Sequence, residues 1–375
     1  PPVSMLNAKI HINSTISNAS NSATTIKNYY LGTPMGYYQY IQVRPSVIPQ
    51  EVWDDSQYDI PITNDGYVYI EIRQGMYGLK EAGIIAFNQL VKKLEPHGYE
   101  PMPFTPGLWR HRTKLTTFFL CLDNFGVKYF STADAHHLIN ALTSNYELTI
   151  DWPGSLYCGL TLDWHYDQGY VDVSMPGYVD RALTKFNHPV PIRKQHAPHR
   201  WVEPAYGFKK PQTPTAKSTA KPLDASGTTR VQAINGTFMY YGRGVDPCIL
   251  VALNEIASKQ AAPTTTTVDK TTMLMDYLNT YPNVVIRYYA SDMILKTTAT
   301  DAAYLVQLKA RSRAAVHYHL GWHNSDRTNG VLDVLCQTIK NVVSSAAEAK
   351  TGGIYIGGKH ACPICIALQE LGHPQ

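Results

Sequence analysis

Asp123 and Asn124 lie side by side in FFLCLDNFGVKY (118–129), between an apolar run and an apolar-aromatic run that surrounds Gly126. The pattern predicts strand, tight turn, strand. A carboxylate at a hairpin tip is either turn chemistry, which Asp suits, or part of a metal site. Hard cations such as Mg²⁺ take oxygen ligands from one or two carboxylates and from substrate phosphates. A second set with ligand chemistry is His360, Cys362, Cys365 and His373. The Cys pair has zinc-like spacing, but the long loop usual between ligand pairs is missing. Pro363 and CIALQEL instead predict a helix entry and core packing. Basic residues cluster at Arg110, His111, Arg112 and Lys114, and again at Lys309, Arg311 and Arg313. Each cluster reads as phosphate contact or as solvated surface. The stretch around Arg193, Lys194, Arg200 and Trp201 has the same two readings. His136 and His137 are expected on a helix surface, and Trp109, Trp152 and Trp164 in core or edge packing.

These residues need elements to hold them. With 375 residues the chain is long enough for two or three domains and a real core. Hydrophobic residues at 44% and charged ones at 17% fit a soluble globular protein. A formal charge of +4 permits nucleic-acid binding without arguing for it. No apolar run is long enough to span a membrane, and PPVSMLNAKIHINST lacks the regions of a secretory signal. Six scattered Cys point to a reducing compartment rather than a disulfide scaffold. An intracellular location, cytoplasmic or nuclear, is therefore expected. The missing initiator Met reads as a fragment or a processed product.

Residues 11–24, rich in Ser, Thr and Asn, predict a loop or weak edge, and 25–33 a short strand ending at a turn. Residues 66–73 alternate as a strand. Residues 82–99 have helical spacing, with Ile85, Leu90, Val91 and Leu94 on one face and Pro96 and Gly98 as the stop. The hairpin at 115–130 follows. Next come a helix over 134–148 with Asp134 placed to cap or charge its start, a hairpin over 155–175 with DQG at its turn, and a helix over 176–186. This order predicts an α+β layer, a mixed sheet with helices on one face. A Pro/Lys-rich linker is expected over 189–230 and helices over 231–280. Paired strands are expected over 284–306, and helices over 339–350 and 360–371.

Seven pieces, in order from about Ala23, together resemble copia-type retrotransposon reverse transcriptases. QGMYGLKEAG (74–83) is similar to the family's "YGLKQA" motif, and CLDNFGVKY to its "VDD" hairpin. LYCGLTLDW is similar to the "FLGI" strand, and MPGYVDRALTKF to the "YVxxLLxKF" helix. GTFMYYGRGVDPCILVAL resembles the start of the connection region. TDAAYLV and VVSSAAEAK resemble two motifs of the attached RNase H domain. The resemblance implies a right-hand polymerase palm plus a partial RNase H-like α/β domain. Its divisions are a palm with incomplete fingers over 1–188, the linker, a helical connection over 231–283 and the RNase H-like part over 284–375.

The same resemblance implies Mg²⁺ as cofactor and an RNA/DNA template-primer or hybrid duplex as partner, with no membrane. Two metal ions activate the primer hydroxyl and brace the departing pyrophosphate. In the family three Asp hold them. Here Thr25 stands at the first position, Asp123 keeps the second, and Asn124 replaces the third. A hydroxyl and an amide cannot offset the repulsion of two divalent cations and a triphosphate. Tyr30 matches an aromatic that screens the sugar, and Gly78 and Lys80 match positions near the nucleotide, but Glu81 replaces a Gln. The upstream finger region is missing from the match. In the RNase H-like part Asp301 matches the first acid, while Lys350 stands where the ligand Glu belongs. Glu348 is out of alternation with it, and the remaining acids are expected past Gln375. The chain is thus expected to be a degenerate reverse transcriptase without activity. A non-catalytic binder that keeps the duplex cleft and a structural or interaction protein are the alternatives.

Overall fold

The structure, a computed structural model, describes residues 2–55, 60–200, 220–307 and 311–375. Its first element corrects the sequence reading. Much of the expected loop at 11–24 belongs to helix α1 (Pro2–Asn18), and the rest falls mainly in strand β1 (Ser20–Ile26). Burial overrides weak helix propensity, since Ile10, Ile12 and Ile16 are buried beside Asn13, Ser14 and Thr15. The polar side chains return to their own helix, Asn13 to the Lys9 carbonyl and Thr15 to the His11 carbonyl. The strand expected at 25–33 lies earlier and ends one residue after Thr25.

Strands β2 (Pro34–Val43) and β3 (Val68–Gln74) form a separate antiparallel pair, with the short helix α2 (Gln50–Asp54) between them. Helix α3 (Lys80–Leu94) leads into β4 (Tyr99–Pro101), β5 (Leu108–His111), β6 (Thr116–Cys121) and β7 (Asn124–Tyr129). Helix α4 (Thr132–Thr143) and β8 (Leu148–Asp151) follow. Ser131 caps α4, and Asp134 carries the negative charge in its first turn, where it pairs with Lys114. The strands lie in the order β4-β5-β6-β7-β1-β8. Every pairing is antiparallel where a mixed sheet is expected.

Neighbouring residues of a strand face opposite ways, and β6 divides its aromatics accordingly. Phe118 joins a core with Leu90, Leu94, Leu138 and Leu142 from α3 and α4. Phe119 joins the core that contains Met5, Ile12 and Ile16 of α1. Helices therefore cover both faces, because α1 fills the side the sequence pattern leaves open.

Strands β9 (Leu156–Tyr157), β10 (Leu160–His165) and β11 (Tyr170–Ser174) precede the helices α5 (Tyr178–Lys185), α6 (Ala225–Gly244), α7 (Leu250–Ala257) and α8 (Thr265–Thr280). Strand β12 (Val285–Tyr289) pairs with β11, opposing Arg287 to Asp172. It does not pair with its neighbour in sequence, so the strands in 284–306 belong to different sheets. The last sheet is β13 (Ile294–Gln307), β14 (Arg311–Gly321) and β15 (Val331–Thr338), packed on α9 (Ala346–Glu370). One helix replaces the two expected at 339–350 and 360–371, and Pro363 lies inside it. The chain is thus a mixed α+β protein of antiparallel sheets. Among the described residues no helix is long and apolar enough to cross a membrane.

Candidate functional site

Cys121 pairs with Asn124 at the end of the β6–β7 ladder, leaving Leu122 and Asp123 as a two-residue turn. Leu122 has φ +60°, a region that favours glycine, and its side chain is exposed. This strained turn puts Asp123 at the tip. Strand β1 runs antiparallel beside β7 in a register that places Thr25 opposite Asn124. The Thr25 hydroxyl donates to Asn124 Oδ1 at 3.0 Å, and Asn124 Nδ2 donates to Asp123 Oδ1 at 2.9 Å. The three residues singled out in the sequence therefore form one hydrogen-bonded chain.

The other carboxylate oxygen is taken as well. Tyr77 donates its hydroxyl to Asp123 Oδ2 at 2.6 Å. Burial, and then the bond to Asp123, push the Tyr77 phenol up to about 12. Tyr77 packs edge-on to Tyr30, with ring centroids 4.9 Å apart. Burial and the charge of Asp123 also raise Tyr30. Gly75 makes this approach possible, because a Cβ there would lie 2.6 Å from the Tyr30 carbonyl. Its N–H donates to the Thr33 carbonyl at 2.8 Å. Gly78 has φ +100° and turns the chain toward α3, whose first residue is Lys80. Sequence reasoning missed Tyr77, although it sits in the quoted motif between Gly75 and Gly78.

This donor set does not fit a pair of divalent ions. Asp123 supplies the one carboxylate of the chain, and both its oxygens already accept hydrogen bonds. Thr25 and Asn124 spend their polar atoms on each other and on Asp123. Among the described residues, no three His, Cys, Asp or Glu side chains form a group able to hold a metal ion.

The second expected cluster also comes together, with changed chemistry. Lys350 Nζ lies 3.9 Å from Asp301 Oδ1, and both side chains are largely exposed. Glu348 accepts from the backbone and hydroxyl of Ser344 at the start of α9, which holds its carboxyl below the usual range.

The first basic cluster is neutralised. Arg110 and Arg112 both bond Glu100, Arg112 also approaches Glu95, and Lys114 pairs with Asp134. Lys309 lies outside the described residues, as does Trp201. Arg311 donates to the Lys340 carbonyl at 3.4 Å, and Arg313 lies on β14 opposite Thr338. The two clusters therefore sit on different sheets.

The four zinc candidates do not converge. His360 bonds Asp333 at 2.8 Å, Cys362 bonds the Gly358 carbonyl, and His373 meets the Ser14 hydroxyl at 3.0 Å. His137 is half-buried against the Tyr99 hydroxyl rather than on the surface, and burial lowers its pKa. Trp109 is fully buried.

Beside the hairpin tip a cleft of about 1130 Å³ opens between β6–β7, residues 158–159 and α6. Leu122, Asn124, Met239, Tyr240 and Arg243 are among its walls. No family model matches the chain.

Proposed function

We propose that this chain is a degenerate reverse transcriptase of the copia type, a polymerase palm and connection followed by a partial RNase H-like part. Its ancestral reaction is RNA-directed DNA synthesis, and nucleotidyl transfer has been lost. The observation that carries this reading is the hydrogen-bonded chain Thr25–Asn124–Asp123–Tyr77, with Tyr30 packed on Tyr77. It gathers the positions that the resemblance assigns to metal and sugar at one hairpin tip. It also ties up the lone carboxylate with neutral donors. The pairing of Asp301 with Lys350 points the same way, since an ammonium stands where the resemblance places an acid. The test is primer extension on a primed RNA template by the purified chain with Mg²⁺ or Mn²⁺. No extension is expected. Extension that disappears in Asp123→Ala would sink the proposal.

A second reading, a non-catalytic binder of hybrid duplex, is favoured by Arg243. Its exposed side chain lines the cleft and forms no ion pair among the described residues. Affinity that falls with added salt in a gel-shift titration, and weakens in Arg243→Ala, is expected on that reading. A flat salt response counts against it.

A further inference from the structure

The cleft beside the hairpin tip, about 1130 Å³, is at the large end of small-molecule sites. Its walls come from separate parts of the chain. Helix α6 presents Gly236, Met239, Tyr240 and Arg243, whose spacing puts them on one helix face. Phe119, Leu120 and Leu122 come from β6 and the turn after it, and Met5 and Asn7 from α1. Leu122 and Tyr240 are 60% and 42% exposed, so the cleft offers uncovered apolar surface of the kind that marks ligand grooves. Gly236 leaves space, since a Cβ there would meet nothing within 4 Å.

The charges on this lining are of one sign. None of the described lining residues is acidic, and Arg243 is the one cation among them. Its side chain is exposed and forms no ion pair among the described residues. Lys9, 3% exposed, donates to the Arg243 carbonyl at 2.8 Å and so adds a second positive charge behind the same turn of α6. A nucleic-acid strand carries a phosphate at every nucleotide and calls for several cations. A single guanidinium among apolar walls instead complements one anionic group on an apolar body. Met5 and Met239 are unbranched and adapt to the shape of such a body. Tyr240 is fixed, because its hydroxyl donates to the Cys158 carbonyl.

We propose that this cleft is a binding site for a small apolar carboxylate, of which a fatty acid is the simplest case. The carboxylate pairs with the Arg243 guanidinium, whose planar fork matches both of its oxygens. The hydrocarbon lies against Met239, Tyr240, Leu122 and Phe119, and burial of that surface supplies most of the affinity. A ligand so placed also covers Asn124 and with it the cleft side of the hairpin tip. The hybrid-duplex reading draws on the same Arg243. This inference rests on neither that reading nor the polymerase reading, and the experiment separates them.

The experiment titrates the purified, full-length chain with octanoate, and with octanol as the uncharged control, by calorimetry below the concentration at which either self-associates. Octanoate is expected to saturate a single site, and octanol to bind about tenfold more weakly for want of the charged pair. Arg243→Met should bring octanoate down to the level of octanol and leave octanol unchanged. Gly236→Phe fills the cleft from an open position and should abolish binding of both. Circular dichroism and the thermal midpoint check that each variant folds as the parent does. Octanoate that does not saturate, octanoate and octanol of equal affinity, or a folded Gly236→Phe that binds like the parent would each overturn the proposal. Loss of hybrid duplex in Arg243→Met with octanoate binding untouched would overturn it as well and leave the duplex reading standing.

Discussion

Thr25 and Asn124 stand opposite one another across the β1–β7 ladder, with the hydroxyl of one donating to the amide oxygen of the other at 3.0 Å. Two carboxylates in that register would repel each other unless a cation lay between them. A hydroxyl and an amide bond directly, so the hairpin closes on itself without a metal. Replacing both, in Thr25→Asp/Asn124→Asp, should restore the repulsion and lower stability by roughly 1–3 kcal/mol without divalent ions. Thermal melts should show Mg²⁺ raising the midpoint of the double variant and leaving the parent unchanged. An equal Mg²⁺ response in the parent would show that the native site already holds the ion.

Tyr77 reports on Asp123. Its phenol is raised from 10.0 to about 12, with burial first and Asp123 second among the causes. A raised folded pKa means the associated stability is fully present below pH about 10 and lost as pH rises toward 12. Asp123→Asn should bring the Tyr77 titration down, read as tyrosinate absorbance against Tyr77→Phe as the blank. An unchanged titration would mean the contact does not form.

Gly126 is fixed by Tyr157. A Cβ at 126 would lie 2.7 Å from the Tyr157 ring, which is buried and anchored to the Phe119 carbonyl. Gly126→Ala should therefore cost about 1–3 kcal/mol in urea unfolding. A loss well below that range would place Tyr157 in a looser pocket.

Lys9 and Lys128 are buried cations, each lowered from 10.5 to about 8 by desolvation. Lys9 donates to the Arg243 carbonyl and Lys128 to the Ser14 hydroxyl. Above pH 8 the folded chain sheds these protons while the unfolded chain keeps them to about 10.5, so their contribution to stability rises with pH across that window. Lys128→Met should reduce the rise between pH 8 and 10 in urea midpoints. A rise of undiminished size would assign it to other groups.

Glu100 holds Arg110 and Arg112 together, and their hydrogen bonds lower its carboxyl below the usual range. Glu100→Gln should free Arg110 and leave Arg112 only its longer contact with Glu95. Affinity for a nucleic-acid duplex at low salt is then expected to rise several-fold, with a steeper salt dependence. No change would mean this edge does not meet phosphate.

Local pattern made several elements legible. The apolar runs around Asp123 and Asn124 specify a hairpin, because strand alternation and turn chemistry act within a few residues. The helix expected over 82–99 is found at Lys80–Leu94, since its apolar spacing is also a local signal. The helix over Pro2–Asn18 was not legible, because its Ser, Thr and Asn residues favour loops. It is stabilised by burial between elements that are distant in sequence. The pairing of β12 with β11, and the single helix running through Pro363, were hidden for the same reason.

The sequence by itself determined which side chains are available, a single Asp beside an Asn at the hairpin and a Thr at position 25. The tertiary structure decided what they do to one another. Register between β1 and β7 set Thr25 against Asn124. The close approach at Gly75 brought Tyr77 onto Asp123. Each contact links residues tens of positions apart, and such pairings depend on register and packing across the whole molecule rather than on local sequence preference.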